Sequence, residues 1–202
     1  MMLAITGVDI LVVGAFDFDK VGGYGIAAQG ITFMIALFGA MVAPIAAVAA
    51  RRHAERRPDE VGAILIESSR VSATALMVIS TVLFVAAPWV VELYAGSQYV
   101  DTASVVLRIL IIGNVIRNLF LPLGLVLVAT GDHRKVIAPP FAEAVVNLAL
   151  SLWWVQVIGA NGVAWATCVA ATVGVGLHLA FTLRRTAAFT VSARTFSTQA
   201  IG

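Results

Sequence analysis

The stretch Ser104 to Thr130, SVVLRILIIGNVIRNLFLPLGLVLVAT, is long and apolar enough to cross a bilayer, since about 20 apolar residues span roughly 30 Å of hydrocarbon. Near its middle stands Arg117, with Asn114 and Asn118 beside it. At 100° per residue these three positions fall on one helical face. An arginine at mid-bilayer costs between about 2.5 and 17 kcal/mol, depending on the reference state. That face must therefore look into a protein interior or a wet cavity, and the other apolar stretches must build it.

Composition supports a membrane solution. Hydrophobic residues make up 60% of the chain and charged residues only 12%, and the mean hydropathy is +0.98. A soluble domain carries about 25% charged residues. The formal charge of +2 does not point to nucleic acid, because the basic residues sit in short clusters between apolar stretches, which is an orientation signal. Cys168 is alone within an apolar stretch, so there is no disulfide framework and no cysteine metal site. The opening MMLAITGVDILVVGAF lacks a basic region and a small-residue cleavage site, so it does not read as a signal peptide.

Six spans are expected, at about 1–16, 24–50, 72–95, 104–130, 136–158 and 162–183. The first is short, as for an incomplete helix or a chain whose natural beginning lies upstream. The second carries a small-residue face (Gly25, Ala28, Thr32, Ala36, Gly39, Ala43) suited to close helix packing, and Pro44 is placed to kink it. Pro58 with Asp59 and Glu60 marks a helix start, and the amphipathic run at about 59–71 reads as an interfacial helix leading into span three. Pro88-Trp89, Tyr94 and Trp153-Trp154 form aromatic belts. The tail, 186–202, is polar.

Under this arrangement Arg51, Arg52, Arg56, Arg57, Arg70, Arg134, Lys135, Arg184 and Arg185 lie on one side, and Lys20 alone on the other. The positive-inside rule then places both termini in the cytoplasm, and a multi-pass protein of a bacterial or archaeal cytoplasmic (inner) membrane is expected.

The charged residues within the spans carry the functional reading. Arg108 is near enough to the outer boundary to snorkel to water. Arg117 is not. It serves either as a cavity cation for an anionic group such as a phosphate or as the ion-pair partner of Asp9 or Glu143. Asp9, mid-span, suits proton or cation coupling, or is a permanent partner of Arg117. Glu143 and Asn147 are four apart on one face; they line a cavity or join two helices. His53, His133 and His178 lack metal-ligand spacing, and no phosphate loop or nucleophile elbow is present. The chain is read as a non-enzyme without cofactor.

Several segments, in order, resemble one family: VDILVVGAFDFDKVGGYGIAAQ, APIAAVAARRHAE, VELYAGSQYVDTASVVLRIL, LVATGDHRKVIAPPFAEAVVNLALS and VIGANGVAWATCVA. Each is degenerate; their order and spacing over about 4–185 resemble the C-terminal six-helix lobe of polysaccharide (O-antigen type) flippases, within the multidrug/oligosaccharidyl-lipid/polysaccharide exporter superfamily. The resemblance implies an all-α membrane bundle, 1–185, that flips a polyprenyl-pyrophosphate-linked oligosaccharide to the outer leaflet by alternating access. By depth and face, Arg117, Asn114, Asn118, Glu143 and Asn147 are the substrate-cavity candidates, with Asp9 as the ion-coupling candidate. Such exporters have about twice as many helices, so a first lobe or a second copy is an expected partner, alongside membrane lipid, polysaccharide polymerase and glycosyltransferases. The competing readings are a cation-coupled multidrug exporter of the same superfamily and a non-transporting subunit of a polysaccharide synthesis complex.

Overall fold

The computed structural model describes residues 2–131 and 133–183, and among them every regular element is helical. The tail 186–202 and Arg184-Arg185 lie outside the described residues. The helices are α1 (Met2–Phe16), α2 (Val21–Val42), α3 (Pro44–Ala54), α4 (Pro58–Ala95), α5 (Val100–Asn118), α6 (Leu121–Ala129), α7 (His133–Ile158) and α8 (Ala160–Leu183). Five stretches are long and apolar enough to cross a membrane: Phe18–Ala54, Asp59–Ala95, Ser97–Ala129, Pro139–Ile158 and Ala160–Ala180; the apolar part of α1, Gly7–Phe16, is shorter.

Helix α5 is the hub, packing on α2, α4 and α8, while α7 packs on α8 and α1. Missing Cβ atoms permit the closest approaches. A Cβ on Gly23 of α2 would lie 2.9 Å from Thr102 Cγ2, and one on Gly113 of α5 would lie 3.0 Å from Cys168 Sγ. Cys168 is accordingly a small buried residue of the α5–α8 contact, its Sγ 3.1 Å from Ile109 O. The packed face of α2 differs from the one expected. Gly23, Ala27, Ile31, Met34 and Phe38 point inward; of the expected face Ala28 is buried with them, while Gly25 and Gly39 face open space and Ala36 is exposed. Large side chains at 31, 34 and 38 fill volume that a stripe of small residues would leave empty.

Helix continuity differs from the expected spans in two places. The amphipathic stretch 59–71 and span three form one helix, because α4 runs unbroken for 38 residues from Pro58. Nothing between residues 59 and 71 breaks it; the sequence there contains neither proline nor an αL turn. Span four, conversely, is two helices. The chain leaves helical geometry at Phe120 (φ −100°, ψ 7°) and α6 restarts with Pro122 in its first turn. Pro122 has no N–H for the carbonyl of Asn118, so an unbroken helix would orphan that group in an apolar setting. At Pro44 the same chemistry divides span two into α2 and α3, as the kink expected there requires, while Ala43 N–H still reaches Gly39 O at 2.9 Å.

Arg108 has a role that snorkelling does not describe. Pro88 lies inside α4 and denies a donor to the carbonyl of Phe84, four residues back. Arg108 Nε donates to that carbonyl at 3.1 Å, and its guanidinium carbon stands 5.4 Å from the centre of the Phe84 ring, a cation–π distance. At the same end, Asp17 Oδ2 accepts the Ala160 N–H at 2.9 Å and Lys20 Nζ at 3.4 Å. The turn between α1 and α2 thereby caps the start of α8. Gly159 makes room for it, with φ +61° and no Cβ to strike the Asp17 carboxylate. The turn between α3 and α4 holds Arg51, Arg52 and Arg57 against Glu55 and Glu60 at 3.0–3.8 Å.

Candidate functional site

The polar residues singled out in the spans fall into two clusters, both anchored on α7. Its Glu143, Asn147 and Ser151 are spaced i, i+4, i+8, a straight row along one face, and all three are buried.

In the first cluster Glu143 meets Arg117. Arg117 Nε donates to Glu143 Oε1 at 2.6 Å, and Nη2 donates to the same oxygen. Arg117 Nη1 donates to Asn114 Oδ1 at 3.3 Å. The side chains are 15% and 8% exposed, so the pair is largely withdrawn from solvent. Asn114 also donates through Nδ2 to Leu110 O at 2.9 Å. Asn118 is buried and turns away from the guanidinium, its Nδ2 on Asn114 O at 2.8 Å. Glu143 in turn rests on α8: a Cβ on Gly174 would lie 2.9 Å from Oε2.

The helix break gives this pair its opening. Helix α5 packs on α8, but after Phe120 the chain redirects and α6 packs on α3 and α4 instead. A pocket of about 150 Å³ opens beside the break, lined by Arg117, Glu143, Phe120, Gly124, Pro139 and His178, among others. Of the six sequence candidates only Arg117 and Glu143 line it.

The second cluster surrounds Asp9, which is 2% exposed. Its Oδ1 accepts from Asn147 Nδ2 at 2.7 Å and from Ser151 Oγ at 3.4 Å; its Oδ2 accepts from Thr167 Oγ1 at 3.1 Å. The Thr167 hydroxyl also lies 3.2 Å from Val163 O, so one proton serves two acceptors. Asn147 Oδ1 is buried without a hydrogen-bond partner among the described residues, and the buried Tyr24 hydroxyl lies beside Asp9 and Thr167. Several oxygens thus converge on one carboxylate in a buried, polar spot with unused hydrogen-bonding capacity. No group of three or more His, Cys, Asp or Glu that would hold a metal occurs among the described residues.

Arg117 pairs with Glu143 and not with Asp9. Glu143 and Asn147 share a face, as their spacing requires, yet they serve different clusters, one reaching α5 and the other α1. Ser151, Thr167 and Tyr24 were missed. The i+4 step from Asn147 could have found Ser151; nothing local distinguishes Thr167 or Tyr24 from other polar residues of apolar helices.

No curated protein and no solved structure matches the chain. A family model, MatE, matches residues 1–153, well over half of the sequence. The family and the helical architecture agree on a multi-pass membrane protein. The chain belongs to the MatE family, whose members are membrane transporters.

Proposed function

We propose that this transporter moves a lipid-linked oligosaccharide from the cytoplasmic to the outer leaflet by alternating access, with both termini in the cytoplasm and a first lobe or second copy completing the pathway. The observation that carries the reading is Arg117, a cation held at mid-span and lining a pocket at a helix break. A guanidinium there recognises phosphate oxygens through its planar fork, as the anionic head of a polyprenyl-pyrophosphate cargo requires. Asp9, with Asn147, Ser151 and Thr167, is the matching place for a coupling proton or small cation. Asn114 supports Arg117, and Asn118 supports Asn114.

The test is expression of the gene in a strain lacking its own flippase. Recovery of surface polysaccharide, lost again in Asp9→Asn, is the expected result; no recovery across several related glycans would count against it. One observation favours a second reading, a cation-coupled drug exporter. The pairing of Arg117 with Glu143 leaves their pocket without net charge, and most of its lining is apolar. Drug resistance that vanishes in Asp9→Asn and persists when Arg117 and Glu143 are removed together would select that reading.

A further inference from the structure

We infer that Glu143 is a positioning residue for Arg117, which it holds in place while the guanidinium binds the cargo's anion, and is not a competitor that must leave first. The inference rests on Arg117 receiving that anion, as proposed above.

The first argument is a count of donors. A guanidinium has five N–H groups. Three are used: Nε and one N–H of Nη2 on Glu143 Oε1, and one N–H of Nη1 on Asn114 Oδ1. One N–H on each terminal nitrogen is left without an acceptor among the described residues, and Arg117 lines the pocket. An anion can therefore be bound with the pair intact.

The second argument is confinement. Glu143 is wedged against the backbone of α8 at Gly174, where even a methyl group would come within 2.9 Å of Oε2 and 3.1 Å of Cβ. Its side chain is 8% exposed and borders the mostly apolar pocket that Arg117 also lines, a poor refuge for a charge. Displacing it would leave a buried charge unpaired, the most costly arrangement open to the site. A fixed carboxylate on one edge and Asn114 on another restrict the rotamers of a long side chain. That restriction lowers the ordering cost when the anion arrives.

The two roles predict opposite effects from variants that keep every charge. Glu143→Asp withdraws the carboxylate by one methylene, and Gly174→Ala presses on it from α8. If Glu143 positions Arg117, both variants weaken anion binding. If it competes, both leave binding unchanged or tighten it. Farnesyl pyrophosphate would be titrated into the detergent-solubilised full chain, with farnesol as the control for the apolar tail. Thermal unfolding would establish that each variant is folded. The expected result is a loss of at least tenfold in affinity for farnesyl pyrophosphate in both variants, with farnesol binding unchanged and melting near that of the parent.

Equal or tighter binding in either folded variant overturns the positioning role and leaves the transport reading standing. A parent chain that does not distinguish farnesyl pyrophosphate from farnesol overturns both. Should Gly174→Ala fail to fold, Glu143→Asp alone decides.

Discussion

Removing one member of the Arg117–Glu143 pair should damage the fold before it reveals anything about transport. In Arg117→Ala, Glu143 keeps a charged side chain that is 8% exposed and packed against α8 at Gly174. Leaving one partner of such a pair buried and uncompensated costs about 3–5 kcal/mol, a large share of a typical total of roughly 5–15 kcal/mol. Glu143→Ala leaves Arg117, its side chain 15% exposed, with Asn114 as its remaining partner, and should cost a similar amount. The double variant Arg117→Ala/Glu143→Ala removes both charges and keeps only the cost of lost packing, about 1–3 kcal/mol. The cycle should therefore show a coupling of at least about 3 kcal/mol, at or beyond the upper end for neighbouring residues. Equilibrium unfolding by SDS in mixed micelles, followed by tryptophan fluorescence, measures it, and membrane abundance should fall in the single variants and partly recover in the double. Additive costs below about 1 kcal/mol each would refute the reasoning and mean that water reaches the pair freely. The practical consequence is that Arg117→Ala alone is a poor transport probe.

Three other outcomes follow from the helix ends and breaks. Arg108→Leu should cost about 1–3 kcal/mol by orphaning the Phe84 carbonyl, and Pro88→Ala should remove most of that cost by restoring an in-helix donor; SDS unfolding of the four proteins tests this, and an unchanged cost in the Pro88→Ala background would exclude it. Asp17→Ala should cost about 0.5–2 kcal/mol through loss of the α8 cap, and Gly159→Ala should perturb the same turn, read as lowered melting temperatures. At the turn between α3 and α4, Arg51 and Arg52 hold the Glu55 carboxyl below its ordinary range. A lowered folded-state pKa means the stabilisation is complete above the ordinary carboxylate range and is lost as pH falls through the lowered value. Glu55→Gln should abolish that acid-side dependence, and an identical pH profile in the variant would argue against it.

Much of the fold was legible because membrane insertion limits the solutions. Apolar length gave the spans, and proline chemistry gave the division at Pro44 and the means to foresee the one at Pro122. Burial of Asp9, Asn114, Asn118, Glu143 and Asn147 followed from the cost of exposing them to lipid. The pairing did not follow. Periodicity assigns residues to a face of their own helix, but not the rotation of that helix against its neighbours. Arg117 therefore had two acceptable carboxylates, and only the packing of α5 on α8, with α7 behind, selects Glu143. The α2 face failed for the related reason that a stripe of small residues fixes which side can approach closely, not which side does. The partner of Arg108 could not be read because it is a backbone carbonyl 24 residues away, freed by a proline whose consequence is visible only when α4 and α5 lie together.

The row Glu143, Asn147, Ser151 places both clusters on one helix and couples them mechanically. Any shift of α7 along or about its axis that loosens Asn147 and Ser151 from Asp9 also moves Glu143 against Arg117, because two turns of helix separate them without a break. Arg117 is also close enough to act on Asp9 electrostatically. If occupancy at Asp9 biases the position of α7, binding at Arg117 must respond, and linkage makes the effect reciprocal. Neutralising the carboxylate isosterically, as in Asp9→Asn, should change affinity for farnesyl pyrophosphate by about 5–150-fold, the range of typical coupling energies of roughly 1–3 kcal/mol. The same factor should appear as a change in proton or cation affinity at Asp9 when the pyrophosphate is bound. Titration of the parent and Asp9→Asn chains measures the first quantity. An affinity unchanged within about twofold, in a variant that melts like the parent, would mean that α7 carries two independent sites and that coupling must run through another part of the molecule.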